Sequence, residues 1–126
     1  MHALFVDDEV EFLQLMEKRL SRRGMTIVTA PDGQSALDIV TEAMKQHETM
    51  FQVVVMDVRM PGMDGLETLR HMKKIAPKLP VLLLTGHASL GVAVQGMDLG
   101  AYDYMLKPVA INELIIKMEE AVRAAA

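Results

Sequence analysis

The sequence predicts a single α/β domain over residues 1–126, a doubly wound parallel sheet of five strands with helices on both faces. Three observations carry this. A short apolar run followed by an amphipathic helical stretch recurs five times, and such alternation builds a parallel sheet through right-handed crossovers. The runs over 53–56 and 81–84 are apolar at every position, as in strands covered on both faces. Aromatic residues make up only 4% of the chain against an apolar fraction of 51%, so Leu, Val, Ile and twelve Met must fill the interior in aliphatic layers.

Residues 3–6 form the first expected strand, which runs into Asp7-Asp8-Glu9. Val10, Leu13, Met16 and Leu20 then recur at helical spacing. Acids at the start and Arg19, Arg22 and Arg23 at the end complement the helix dipole, and Gly24 is a natural stop. The β-branched stretch 25–29 is the second strand. Ala30-Pro31-Asp32-Gly33 reads as a turn, with Asp32 the N-cap of a helix carrying Ala36, Leu37, Val40 and Met44.

A polar link over 46–49 leads to the third strand, which drives into Asp57 and the Pro61-Gly62 turn. Asp64 can cap a third helix with Leu66, Leu69, Met72 and Ile75 on its apolar face, ended by Pro77 and Pro80. Lys73, Lys74 and Lys78 read as a solvated basic cluster. The fourth strand stops at Thr85-Gly86. A weaker helix over 89–99 contains Gly91 and Gly96, each costing about 1 kcal/mol against alanine, and Gly100 closes it. A fifth strand over 101–106 places Tyr102 and Tyr104 on one face and Asp103 on the other, and Lys107-Pro108 ends it. The last helix carries Leu114, Ile115, Met118 and Val122.

Composition excludes several classes. A net charge of -4 without a basic face gives no footprint for direct nucleic-acid binding. The absence of cysteine rules out disulfides and thiolate metal sites. No apolar run approaches the roughly 18 residues of a membrane span. Asp7 comes too early for a secretory signal peptide, so a cytoplasmic location is expected.

All strands of a parallel sheet end at one edge, which is where open α/β sheets place their ligand sites. Taken alone, Asp57 could be an ordinary turn residue. Its neighbours change that reading. In the flavodoxin-like order 2-1-3-4-5, the uncharged end of the second strand lies at the sheet edge. The other four strand ends bring Asp7, Asp8, Asp57, Thr85 and Lys107 together. Three close carboxylates repel unless a cation joins them, and hard oxygen ligands suit Mg²⁺ or Mn²⁺. A central carboxylate beside a metal is a candidate nucleophile for aspartyl-phosphate formation. The metal, the Lys107 ammonium and the Thr85 hydroxyl could each take one oxygen of the phosphoryl group.

Four segments now stand out together: Val-Asp-Asp-Glu at 6–9, Met-Asp-Val-Arg-Met-Pro-Gly-Met-Asp-Gly at 56–65, Leu-Thr-Gly-His-Ala at 84–88 and Tyr-Met-Leu-Lys-Pro at 104–108. In this order and spacing they resemble the receiver domain of bacterial two-component response regulators, over the whole chain. The resemblance implies that Asp57 is the phosphoacceptor. Asp8 and Asp57 would bind Mg²⁺ directly, Asp7 through water, and the backbone carbonyl of Arg59 would be a further ligand. Lys107 would bind the phosphoryl group, with its bond to Pro108 often cis in the family. Thr85 would be the switch hydroxyl and Tyr104 the aromatic that follows it.

The same resemblance implies a phosphorylation-dependent switch rather than an enzyme. A sensor histidine kinase or phosphotransfer protein would supply the phosphoryl group. The face of the fourth helix, fifth strand and fifth helix would control an output domain or form a homodimer. Arg59 and His87 occupy positions that vary in the family, two residues after the phosphoacceptor and the switch threonine. Both are expected to flank the entrance and tune the lifetime of the phosphorylated state. Three other classes remain beside this one. A phosphatase with an aspartyl intermediate would need an acid where Arg59 stands. A nucleotide-binding module would need Gly-x-Gly-x-x-Gly after the first strand, which is absent. A degenerate scaffold would not need the intact acid set.

Overall fold

The computed structural model describes residues 1–46, 51–60 and 62–125. Most of the expected 46–49 link and Pro61 of the expected turn lie outside the described residues. The elements are β1 (His2–Val6), α1 (Val10–Ser21), β2 (Thr26–Ala30), α2 (Gly33–Lys45), β3 (Val53–Asp57), α3 (Gly65–Ile75), β4 (Val81–Thr85), α4 (Leu90–Asp98), β5 (Asp103–Leu106) and α5 (Ile111–Ala125). A 3-10 turn at His87–Ser89 precedes α4. The strands are all parallel, in the order β2-β1-β3-β4-β5, as the alternation predicts.

The two-sided burial of the central strands explains their unbroken apolar sequences. Leu4 and Val6 of β1, Val54 and Met56 of β3, and Val81 and Leu83 of β4 enter one core with residues of α2, α3 and α4. Their chain neighbours Ala3, Phe5, Val53, Val55, Leu82 and Leu84 enter the other, with Leu13, Met16 and Leu20 of α1 and Leu114, Met118 and Ala121 of α5. Side chains alternate across a strand, so a strand feeding two cores has no polar position to spare.

The structure corrects several sequence expectations. Val10 and Met44 have helical spacing but are 55% and 39% exposed, because they lie at helix ends beyond the reach of the sheet. Met25 does not join β2. Its amide bonds to the Leu20 carbonyl and closes α1, and the ladder starts when the Thr26 amide reaches the Met1 carbonyl. Ala101 precedes β5, its amide held by the Gly96 carbonyl at the end of α4. Lys73 is half-buried rather than solvated. Its ammonium donates to the Leu79 carbonyl at 3.1 Å, and burial holds its pKa below the usual lysine value.

Gly96 is more than a weak point in α4. A Cβ there would lie 2.3 Å from Cδ1 of the buried Leu83, so glycine lets the helix approach β4. Gly91 has open space around it and fits the simpler reading of a helix-weakening residue.

Asp32 caps α2, its carboxylate accepting from the Ser35 amide at 2.7 Å. That amide bond, followed by the Ser35 hydroxyl, holds the carboxyl below the usual aspartate range. A lowered carboxyl pKa contributes stability that is present above the unfolded value and lost as pH falls through the folded one. Asp32→Ala is therefore expected to cost about 1 kcal/mol at neutral pH in urea unfolding. The deficit against wild type should shrink as pH falls below about 4. A deficit independent of pH would reject the charged cap as its source.

Candidate functional site

The strand ladders bring the predicted residues to one level at the carboxyl edge of the sheet. Asp7 follows β1, its amide bonded to the Ala30 carbonyl of β2 at 3.1 Å. Asp57 is the last residue of β3 and pairs in register with Leu84. Thr85 ends β4. Lys107 follows β5 and donates its amide to the Thr85 carbonyl at 2.8 Å.

Asp7 is 1% exposed and Asp57 7%, while Asp8 faces solvent. One carboxylate oxygen from each of the three falls within 4.8 Å of the others. Short local turns orient two of them. Asp7 Oδ1 accepts from the Glu9 amide at 2.9 Å, and Asp57 Oδ1 accepts from the Arg59 amide at 3.0 Å. Their second oxygens turn to Lys107. Its Nζ donates to Asp7 Oδ2 at 2.7 Å and to Asp57 Oδ2 and Glu9 Oε1 at 3.2 Å each. The ammonium also sits 4.7 Å above the Phe12 ring.

Burial pushes the Asp7 carboxyl above the usual aspartate value, and the Lys107 ammonium and Glu9 amide offset this only in part. Burial also draws Lys107 down, but the hydrogen bond to Asp7 and the charges of Asp57 and Asp7 outweigh it. The ammonium is held above the usual lysine range. Lys107 pairs with three acids, Asp7, Glu9 and Asp57, and Asp8 adds a fourth on the open side, leaving surplus negative charge at a cluster open to water. Oxygen-only donors, excess negative charge and a solvent-facing side fit a hard divalent cation that keeps some of its water.

The remaining predicted residues lie on β5 and at the ends of β3 and β4. Thr85 is fully buried, and its hydroxyl donates to the Gly86 carbonyl at 3.0 Å. Tyr104 pairs in register with Leu83 and packs, half-buried, against the core under α4. His87 is exposed at the start of the 3-10 turn. Arg59 reaches sideways, and its Nε donates to Ser89 Oγ at 2.6 Å. The Lys107-Pro108 peptide bond is cis.

Three contacts escaped the sequence reading. Glu9 and Phe12 lie three residues apart at the start of α1, a spacing that puts both on one flank toward Lys107. Ser89, four residues after Thr85, had no signal beyond being a hydroxyl near a helix start.

A doubly wound sheet with an acid trio and a lysine at its carboxyl edge defines a class of α/β domains suited to phosphoryl chemistry on a carboxylate. Comparison with known proteins makes the assignment. Residues 3–119 match the family model described as the response regulator receiver domain. The chain is 37% identical over 123 residues to the response regulator MprA of Mycolicibacterium vanbaalenii, covering 98% of this chain and 51% of that protein. It is 35% identical over 120 residues to the DNA-binding transcriptional regulator NtrC of Klebsiella pneumoniae, covering 95% and 24%. Among solved structures, a response regulator receiver domain protein from Clostridium thermocellum superposes with a TM-score of 0.90 at 35% identity, over 98% of this chain and 94% of that one. The chain belongs to the response regulator receiver domain family. It spans about half or less of the length of these curated relatives. Among the described residues no helix is long and apolar enough to cross a membrane.

Proposed function

We propose that this domain is a cytoplasmic phosphoacceptor switch in which Asp57 receives a phosphoryl group from a sensor histidine kinase or a phosphotransfer protein. The observation that carries the reading is the placement of Asp57. It is a nearly buried carboxylate at a strand end, bonded to Lys107 and clustered with Asp7 and Asp8. A carboxylate oxygen of Asp57 attacks the phosphorus. One P–O bond forms, and the P–N bond of the phosphohistidine breaks with its electron pair returning to the imidazole. Asp8 and Asp57 would hold Mg²⁺ (or Mn²⁺) directly and Asp7 through water, with the Arg59 main-chain carbonyl as a further ligand. When bound there, the ion supplies positive charge to the transferring group.

Lys107 is positioned to bind a phosphoryl oxygen because its ammonium already touches Asp57 Oδ2. The domain thus assists its own phosphorylation and dephosphorylation without turning over a substrate. Phosphorylation adds charge and three strong acceptors, which would draw the Thr85 hydroxyl away from the Gly86 carbonyl. Tyr104 would follow into the space released. The face of α4, β5 and α5 would shift toward its signalling arrangement and act on an output domain or a second copy. Arg59 and His87 would influence how long the phosphoryl group survives.

Incubation with phosphoramidate and Mg²⁺ tests the central step. The wild type is expected to gain the mass of one phosphoryl group, and Asp57→Asn to gain none. Labelling that persists in Asp57→Asn would place the acceptor elsewhere. Continuous release of phosphate without a labelled protein would point to a hydrolase.

A further inference from the structure

The Arg59–Ser89 hydrogen bond is unexpected. It joins the loop after β3, which carries the acceptor, to the loop after β4, which carries the switch threonine. At 2.6 Å it is a short side-chain bond between segments thirty residues apart, whereas the Thr85 hydroxyl bonds only to its neighbour Gly86. Ser89 is only 5% exposed, so this is a seated contact and not a surface encounter.

Its two ends belong to one continuous path. The Arg59 amide donates to Asp57 Oδ1. The Arg59 guanidinium donates to the Ser89 hydroxyl. The Ser89 amide donates to the Gly86 carbonyl at 3.0 Å, and the Thr85 hydroxyl donates to that same carbonyl. The acceptor carboxylate and the switch hydroxyl are therefore tied through one chain of hydrogen bonds. We infer that Arg59 and Ser89 form a latch that holds the segment after β4 in the resting arrangement, with Ser89 acting as a positioning residue for the Arg59 side chain.

Three features support this assignment, which rests on the phosphoacceptor reading above. Thr85 can turn toward a group on Asp57 only by leaving the Gly86 carbonyl, and the Ser89 amide holds that same carbonyl. Gly86 has open space around its Cα, so the segment is free to rearrange once its far end is released. That far end is Ser89, where α4 begins, and Arg59 is the side chain that pins it. New contacts to Asp57 compete with its bond to the Arg59 amide, so events at the acceptor reach the latch directly. A bond made in one state and not the other shifts a two-state equilibrium by its differential strength.

Two single variants and their double test the latch, using beryllofluoride with Mg²⁺ as a phosphoryl mimic. In the unphosphorylated Ser89→Ala and Arg59→Met proteins, amide resonances from Gly86 to Tyr104 are expected to move along the straight line joining free and beryllofluoride-bound wild type. Phosphorylation by phosphoramidate should accelerate by up to roughly tenfold in each, the factor corresponding to about 1.4 kcal/mol of lost hydrogen bonding. The double variant should go no further than either single. Resonances that leave that line, unchanged rates, or additive effects in the double would each overturn the latch. If wild type neither binds beryllofluoride nor accepts a phosphoryl group, the phosphoacceptor reading fails first. If wild type responds and the variants match it, only the latch fails.

Discussion

Replacing Lys107 by methionine is expected to destabilise the metal-free protein by about 3 kcal/mol, measured by urea unfolding at neutral pH. Methionine keeps an apolar stem against Phe12, so the loss is mainly one of charge. Lys107 supplies the ammonium to both Asp7 Oδ2 and Asp57 Oδ2, and these carboxylates are 1% and 7% exposed. Removing one partner of such a group leaves the other desolvated and uncompensated, which costs more than the intact pair contributes. The opening of the site to water through Asp8 keeps the cost near the lower end of the range for buried pairs. If the orphaned charge is the cause, Asp7→Asn in the Lys107→Met background should recover most of the loss. A double variant no more stable than Lys107→Met would assign the loss to packing instead. Asp57→Asn alone relieves repulsion and should be at least as stable as wild type without Mg²⁺.

Much of this site was legible from the sequence because strand ends are legible. The apolar runs that end at Val6, Met56, Leu84 and Leu106 have no ambiguity of period, and parallel topology then brings the next residues together. Asp7, Asp57, Thr85 and Lys107 were found without any knowledge of distance. Residues whose role depends on one loop approaching another were not. Ser89 matters through Arg59, thirty positions away, and no local pattern links them. Phe12 reads as an ordinary helix residue until Lys107 is placed above it. Val10 shows the opposite limit: a helical period gives the phase of a face but not how far along the helix the sheet reaches. Glycines were the least legible. Gly91 and Gly96 look alike in sequence, but only Gly96 lies against a neighbour that a methyl group would strike.

Gly65 meets the same constraint at the site itself. Gly65→Ala is expected to destabilise the domain by about 3 kcal/mol, at the upper end of the usual range for overpacking. Gly65 opens α3, and its amide donates to the Val58 carbonyl at 3.1 Å. A Cβ at this position would stand 2.6 Å from Val58 Cα, 2.7 Å from the Asp57 carbonyl oxygen and 2.9 Å from the Val58 carbonyl oxygen. All three are backbone atoms, so no side chain can turn aside to make room. Either the first turn of α3 withdraws or the end of β3 moves, and the end of β3 is Asp57. The variant should therefore lose stability and also phosphorylate more slowly with phosphoramidate than its residual fold would explain. Gly91→Ala is the matched control. It lies within α4 with nothing inside 4 Å of the added methyl, and should gain up to about 1 kcal/mol. Urea midpoints of the two variants moving in opposite directions would support close backbone approach as the reason for glycine at 65. A Gly65→Ala protein as stable as wild type would mean that the helix can retreat from the end of β3 at no cost, and that its packing does not set the position of Asp57.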